Sequence, residues 1–155
     1  MDIGGGIGKM AFVDYSAIRS RFATKIKTLS GFTESRNPFD DFNRFPNTIA
    51  QKRFAVGIGP IQALEEQRES SLTGLMCQTQ VQVKYPYRLR PKDQVTDYDL
   101  SMDVAQDVIK ACTNRSPPLH TNLQIFFQQM EHEITESGEY IITTLQFTVL
   151  HQISL

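Results

Sequence analysis

The chain has 155 residues, with 16 Lys and Arg against 17 Asp and Glu, a formal net charge of -1 and a charged fraction of 21%. That is one domain's worth of chain, long enough to bury its own core, and too evenly charged to read as a polyanion-binding tail or a nucleic-acid domain. Polarity comes instead from 13 glutamines, seven of which (Gln78, Gln80, Gln82, Gln124, Gln128, Gln146, Gln152) fall in segments that read as strands.

The opening glycines, Gly4, Gly5, Gly6 and Gly8, predict a flexible tail over residues 1–11, followed by a single domain over 12–155. Tyr15, Ile18, Phe22, Ile26 and Leu29 recur at intervals of three and four, with Asp14 before them and Gly31 after. That spacing predicts an amphipathic helix over 14–30. Residues 31–51 are irregular, because Pro38, Pro46 and several Asn break any period. Yet Phe32, Phe39, Phe42 and Phe45 all lie there, and four such rings are too much apolar area to leave in water. The segment is either a loop folded over the core edge or a docking surface, for which Phe39, Phe42 and Phe45 are the candidates.

Phe54, Val56 and Ile58 alternate with small residues and predict a strand over 52–64, with a bulge or edge at Gly57, Gly59 and Pro60. Cys77, Thr79, Val81, Val83, Tyr85, Tyr87 and Leu89 then form one row, and Gln78, Gln80, Gln82, Lys84, Arg88 and Arg90 the other. This is period two, a sheet with one buried and one wet face, and the two strands read as a hairpin tipped by Glu65 to Gly74. A second helix is expected from Thr96-Asp97-Tyr98-Asp99, with Tyr98, Met102, Ala105, Ile109 and Cys112 inward, widened by Val104 and Val108. Leu123, Ile125 and Phe127, then Ile141, Thr143, Leu145, Phe147, Val149 and Ile153, give two more strands around a turn at Glu136-Ser137-Gly138-Glu139. The expected fold is therefore α+β, order α-β-β-α-β-β, with two helices on one face of an antiparallel sheet of about four strands.

The familiar chemical signatures are not met in the sequence. Gly8-Lys9 has Ile3 and Met10 where a phosphate loop needs Gly and Ser or Thr. Glu131-His132-Glu133 has no second His at helical spacing, and on a strand these neighbours point to opposite faces, so a solvated hairpin end is expected. Cys77 and Cys112 sit on apolar stripes and read as buried, unreactive thiols, and no Gly-x-Ser-x-Gly elbow occurs. The acid pairs Asp40-Asp41, Glu65-Glu66 and Glu131/Glu133 read as solubilising charges in loops or hairpin ends. No catalytic, metal or cofactor set is assigned. No stretch approaches the apolar length of a membrane span, and no signal peptide opens the chain, so a soluble protein made inside the cell is expected. A basic strip, Lys84, Arg88 and Arg90, is the candidate subunit interface, with the acidic helix start Asp97, Asp99 and Asp103 of a neighbouring copy as its complement.

Taken together, the helix Asp14-Tyr15-Ser16-Ala17-Ile18, the strand Gln82-Val83-Lys84-Tyr85-Pro86-Tyr87-Arg88, the helix Leu100 to Ile109 and the closing strand Leu145 to Gln152 resemble the tail terminator, or tail-completion neck, proteins of long-tailed bacteriophages. The resemblance covers most of residues 12–155, except the Phe-rich 31–51 segment. It implies a homohexameric ring in the neck of the virion, made in the host cytoplasm. Such a ring caps the tail tube, stops tube polymerisation and meets the head–tail connector. DNA is only passing cargo in the lumen, and there is no cofactor, membrane partner or reaction. By the same resemblance Glu65, Glu66, Arg68 and Glu69 at the hairpin tip are candidates for tube or lumen contact, and reversing the charge of Arg88 should disturb the ring. The alternatives are a sibling neck role, as head-completion adaptor or tube subunit, and a small α+β ligand-binding domain or enzyme.

Overall fold

A computed structural model of the chain describes residues 12–42, 49–64, 74–113 and 123–154. In chain order these form α1 (Tyr15–Lys27), β1 (Thr33–Glu34), β2 (Arg53–Ala63), β3 (Gly74–Arg88), α2 (Gln94–Thr113), β4 (Gln124–Ile134) and β5 (Tyr140–Ser154). The strands make one sheet in the order β1-β2-β3-β5-β4. This is an α+β domain, but its sheet has five strands and is mixed, where four antiparallel strands are expected from the sequence. The addition is β1, which pairs in parallel with β2 through Thr33↔Arg53 and Glu34↔Phe54. Two residues carry no periodicity to read. They are placed from outside: Phe32 packs edge-on to Tyr85 at 5.2 Å and brings the next two residues alongside β2.

The long antiparallel pair β3–β5 runs unbroken from Gly74↔Ser154 to Arg88↔Tyr140 and forms the middle of the sheet. β2 and β3 pair as the expected hairpin, with the register shift between Ile58 and Ile61, where Gly59 and Pro60 stand. A second shift, between Phe127 and Gln129, interrupts β4–β5.

Both helices bury their stripes in one core. Ile18, Phe22 and Ile26 of α1 and Val108 and Cys112 of α2 share it with Val56, Val81, Val83, Leu145 and Phe147 of the sheet. Each of the larger side chains contributes about 1.5–3 kcal/mol on full burial. α1 ends earlier than the apolar period suggests, at Lys27, where the Thr28 hydroxyl donates to the Lys25 carbonyl at 2.6 Å. Gly31, at φ 82°, then takes the left-handed turn that a Cβ would strain.

In α2 the expected inward stripe is displaced. The helix begins at Gln94, and its buried residues are Asp97, Ser101, Ala105, Val108 and Cys112, while Tyr98 is 43% exposed. Arg90 draws the Asp97 carboxylate inward, and the small Ser101 allows close approach, which turns the bulkier Tyr98 and Met102 to the flank.

The Phe-rich segment divides. Phe32 joins the main core, whereas Phe42 is fully buried in a second, smaller core on the opposite face of the sheet with Ile49, Ala55, Tyr140 and Ile142. Phe42 has φ 58°, a strained value for an aromatic residue, and is held there by its burial and by the Asp40 carboxylate accepting from its N–H at 2.9 Å. Phe39 is 65% exposed and lies over Gly57, where an added Cβ would stand 2.6 Å from its ring. Phe45 lies outside the described residues.

Candidate functional site

Period-two geometry puts residues of equal parity on β3 and β5 onto the same face, so Cys77, Thr79, Tyr85, Thr143 and His151 all face the helices. His151 is directly opposite Cys77 in the β3–β5 register. Its Nδ1 lies 3.0 Å from the Val13 carbonyl, and its Nε2 lies 2.7 Å from the Thr79 hydroxyl. A carbonyl oxygen can only accept, so Nδ1 carries the proton and Nε2 accepts from Thr79. Tyr15 meets the same ring edge-on at 5.5 Å, and its hydroxyl bonds the Cys77 thiol at 3.5 Å. That bond and burial push the Tyr15 pKa up to about 12, and burial holds the His151 imidazole below its ordinary value.

Hydroxyl, imidazole and orienting carbonyl in line make the connectivity of an activated nucleophile. Thr79 and His151 are both 0% exposed, however, so the arrangement cannot meet a substrate where it stands. It acts as a clasp: His151 holds the Val13 carbonyl while the Val13 N–H donates to the Gln152 carbonyl at 2.8 Å, which ties the start of the domain to β5. In the sequence, the parity of His151 with Phe147 and Val149 already points it inward.

Further along the same face, Tyr85 opposes Thr143, and Thr143 opposes His132 on β4. Tyr85 and Thr143 are fully buried. Among the described residues, the Tyr85 hydroxyl, Thr143 Oγ1 and His132 Nε2 close no regular hydrogen bond. Burial raises the Tyr85 phenol, which the adjacent Thr143 hydroxyl only partly offsets, and burial lowers His132. His132 is thus not a solvated hairpin end: it lies within β4, half-buried, with the Tyr98 ring edge-on at 6.0 Å. Glu131 and Glu133, expected in a loop or hairpin end, are on the same strand and point to the other face.

Of the candidate interface residues, two meet within the chain. The Asp97 carboxylate accepts from the Arg90 backbone N–H at 2.7 Å, from Nε at 3.0 Å and from Nη2 at 2.9 Å. These bonds hold Asp97 below the usual carboxylate range. Lys84 lies on the outer face of β3, and Arg88, Asp99 and Asp103 are exposed. Glu65, Glu66, Arg68 and Glu69 lie outside the described residues. Cys77 and Cys112 are buried, and burial pushes the Cys112 thiol well up, which makes it a poor nucleophile.

The face away from the helices is built from uncharged polar groups. Gln82, Gln146 and Gln129 stand side by side across β3, β5 and β4. In the neighbouring row Thr148 donates to Gln80 at 3.2 Å, and Phe126, next to Thr148, is 41% exposed. β4 closes the sheet and also exposes Phe127 and Ile134, at 38% and 53%. No helix among the described residues is long and apolar enough to cross a membrane, and no group of three or more metal-ligating side chains occurs among them.

A scan against protein-family models gave no match, and a search of curated proteins found no relative.

Proposed function

We propose that the chain is a structural subunit of a ring-shaped assembly, and specifically a tail terminator of a long-tailed bacteriophage. The observation that carries the reading is the outer face, where Gln82, Gln146 and Gln129 form one continuous row across three strands. Amide side chains can be covered by a neighbour at lower desolvation cost than charges, and they suit the wet, polar interfaces of assembly components. On this reading the protein acts by complementarity. One side of the ring meets the last ring of tube protein, the other meets the connector, and DNA passes through. Phe39 is the exposed docking residue, and Glu65, Glu66, Arg68 and Glu69, outside the described residues, stay candidates for contact with the tube or lumen.

The test has two readouts. Sedimentation or native mass spectrometry of the chain, alone and with tube protein, should give a closed species near six times 17.6 kDa. Added to polymerising tube protein, the chain should cap tubes and shorten them. A monomer in both conditions would overturn the ring. A ring that co-polymerises along the tube would assign the sibling role of tube subunit, and one that binds only the connector would assign the head-completion adaptor.

A further inference from the structure

The net charge of -1 conceals a separation. Residues 12–64, which carry α1, β1 and β2, hold eight Lys and Arg against four Asp and Glu. Residues 94–155, which carry α2, β4 and β5, hold eight Asp and Glu against two Lys and Arg. The strand order β1-β2-β3-β5-β4 puts β1 and β2 at one margin of the sheet and β4 at the other. Four strand spacings separate the margins by about 19 Å. That exceeds the screening length of about 8 Å at physiological salt, so the two patches do not neutralise one another within a copy.

The margins carry exposed charges of opposite sign. At the acidic margin Glu131 and Glu133 are exposed on the outer face of β4, and Asp99 and Asp103 on the outward side of α2. Along the same strand, β4 also exposes Phe126, Phe127 and Ile134. At the basic margin Arg53 is exposed on β2, and Arg36 just past β1. Arg19 and Lys27 of α1 are already engaged by Glu34, at 2.6 and 3.2 Å, which leaves Arg36 and Arg53 as exposed basic charges beside the strand edge, with Asp41 exposed in the same segment. The strip expected from the sequence to form the seam, Lys84, Arg88 and Arg90, is on the central strand or bound to Asp97, away from either margin.

We infer that the acidic α2–β4 margin docks the basic α1–β1–β2 margin of a second copy of this chain, with Glu131 and Glu133 facing Arg36 and Arg53 beside the exposed rings of Phe126 and Phe127 on the same strand. Two acidic margins repel, so the contact is head-to-tail, the kind of interface that propagates until a ring closes. Aromatic anchors next to complementary charges are common in such contacts. The inference rests on the ring reading and names the surface by which the ring is built.

Self-association of the full chain is measured by sedimentation from about 50 mM to about 500 mM salt, where it should weaken as the margins are screened. Glu131→Lys with Glu133→Lys, and separately Arg36→Glu with Arg53→Glu, should each weaken association about tenfold or more, with unchanged circular dichroism. Mixed in equal amounts, the two variants should assemble again, because every contact in an alternating ring then pairs opposite charges. Wild-type association that neither double variant reduces, or variants that fail to rescue each other, would overturn the seam and leave the ring standing. A wild-type chain that stays monomeric alone and with tube protein would overturn both.

Discussion

At one end of the helix-facing side of the sheet, His151 has a partner on each ring nitrogen, while further along the same strands Tyr85 and Thr143 are as deeply buried and neither hydroxyl closes a regular bond. Between the two lies an apolar belt of Val81, Val83, Leu145 and Phe147. The contrast shows what buried polarity does when it is satisfied and when it is not. A saturated group ties distant segments together, and removing it strands its partners. A group without a good partner already carries its desolvation cost, so deleting it releases that cost.

The belt sets the upper end of the scale. Phe147→Ala removes a ring that is 0% exposed and packs on Phe22 and Phe127, and should cost about 3–5 kcal/mol in urea unfolding. Next comes the clasp. His151→Leu leaves the Thr79 hydroxyl and the Val13 carbonyl unpaired, and about 1–3 kcal/mol for each buried group gives an expected loss of about 2–6 kcal/mol. Proteolysis near residue 13 should rise with it. A loss near zero would mean the clasp is no tighter than the row around Thr143.

Acid should probe the same difference. Burial lowers both His151 and His132 in the folded chain, so the unfolded chain takes up protons first. Stability is therefore intact above about pH 6.5 and declines as pH falls from there towards the lowered folded values. Asp97, held low by Arg90, adds a second decline below about pH 4. In His151→Leu the first decline should shrink to the share contributed by His132, and an unchanged slope would remove His151 from the account. The smallest effect is expected at Tyr85→Phe, within about 1 kcal/mol of wild type in either direction, since the hydroxyl removed has no good partner to strand. A large loss there would show that the row is satisfied in solution and erase the contrast.

Much of the secondary structure is legible before any folding is considered. The alternation from Cys77 to Tyr85 and the three–four spacing from Ile18 to Ile26 both reappear as buried rows, because side-chain periodicity is a local property of the backbone. Local reading fails where one contact overrules the apolar tally. Tyr98 outranks Asp97 on hydrophobicity, yet Asp97 turns inward because Arg90, seven residues back, offers three donors. His132 sits beside two glutamates and reads as solvated, yet α2 crosses above it and lays Tyr98 against the ring. The split of the phenylalanines between two cores is equally invisible in 31–51, since those rings answer to strands far along the chain.

The helices, the long hairpin, the glutamines of the strands and the near-zero net charge all follow from composition and near-neighbour periodicity. Long-range packing settles that β1 joins the sheet in parallel, that β4 comes to lie at the margin beyond β5, and that Arg36 and Arg53 stand at the margin opposite Glu131 and Glu133. Strand order is a long-range property, settled by which faces bury together rather than by any local signal. It is strand order that turns a nearly neutral composition into two charged margins.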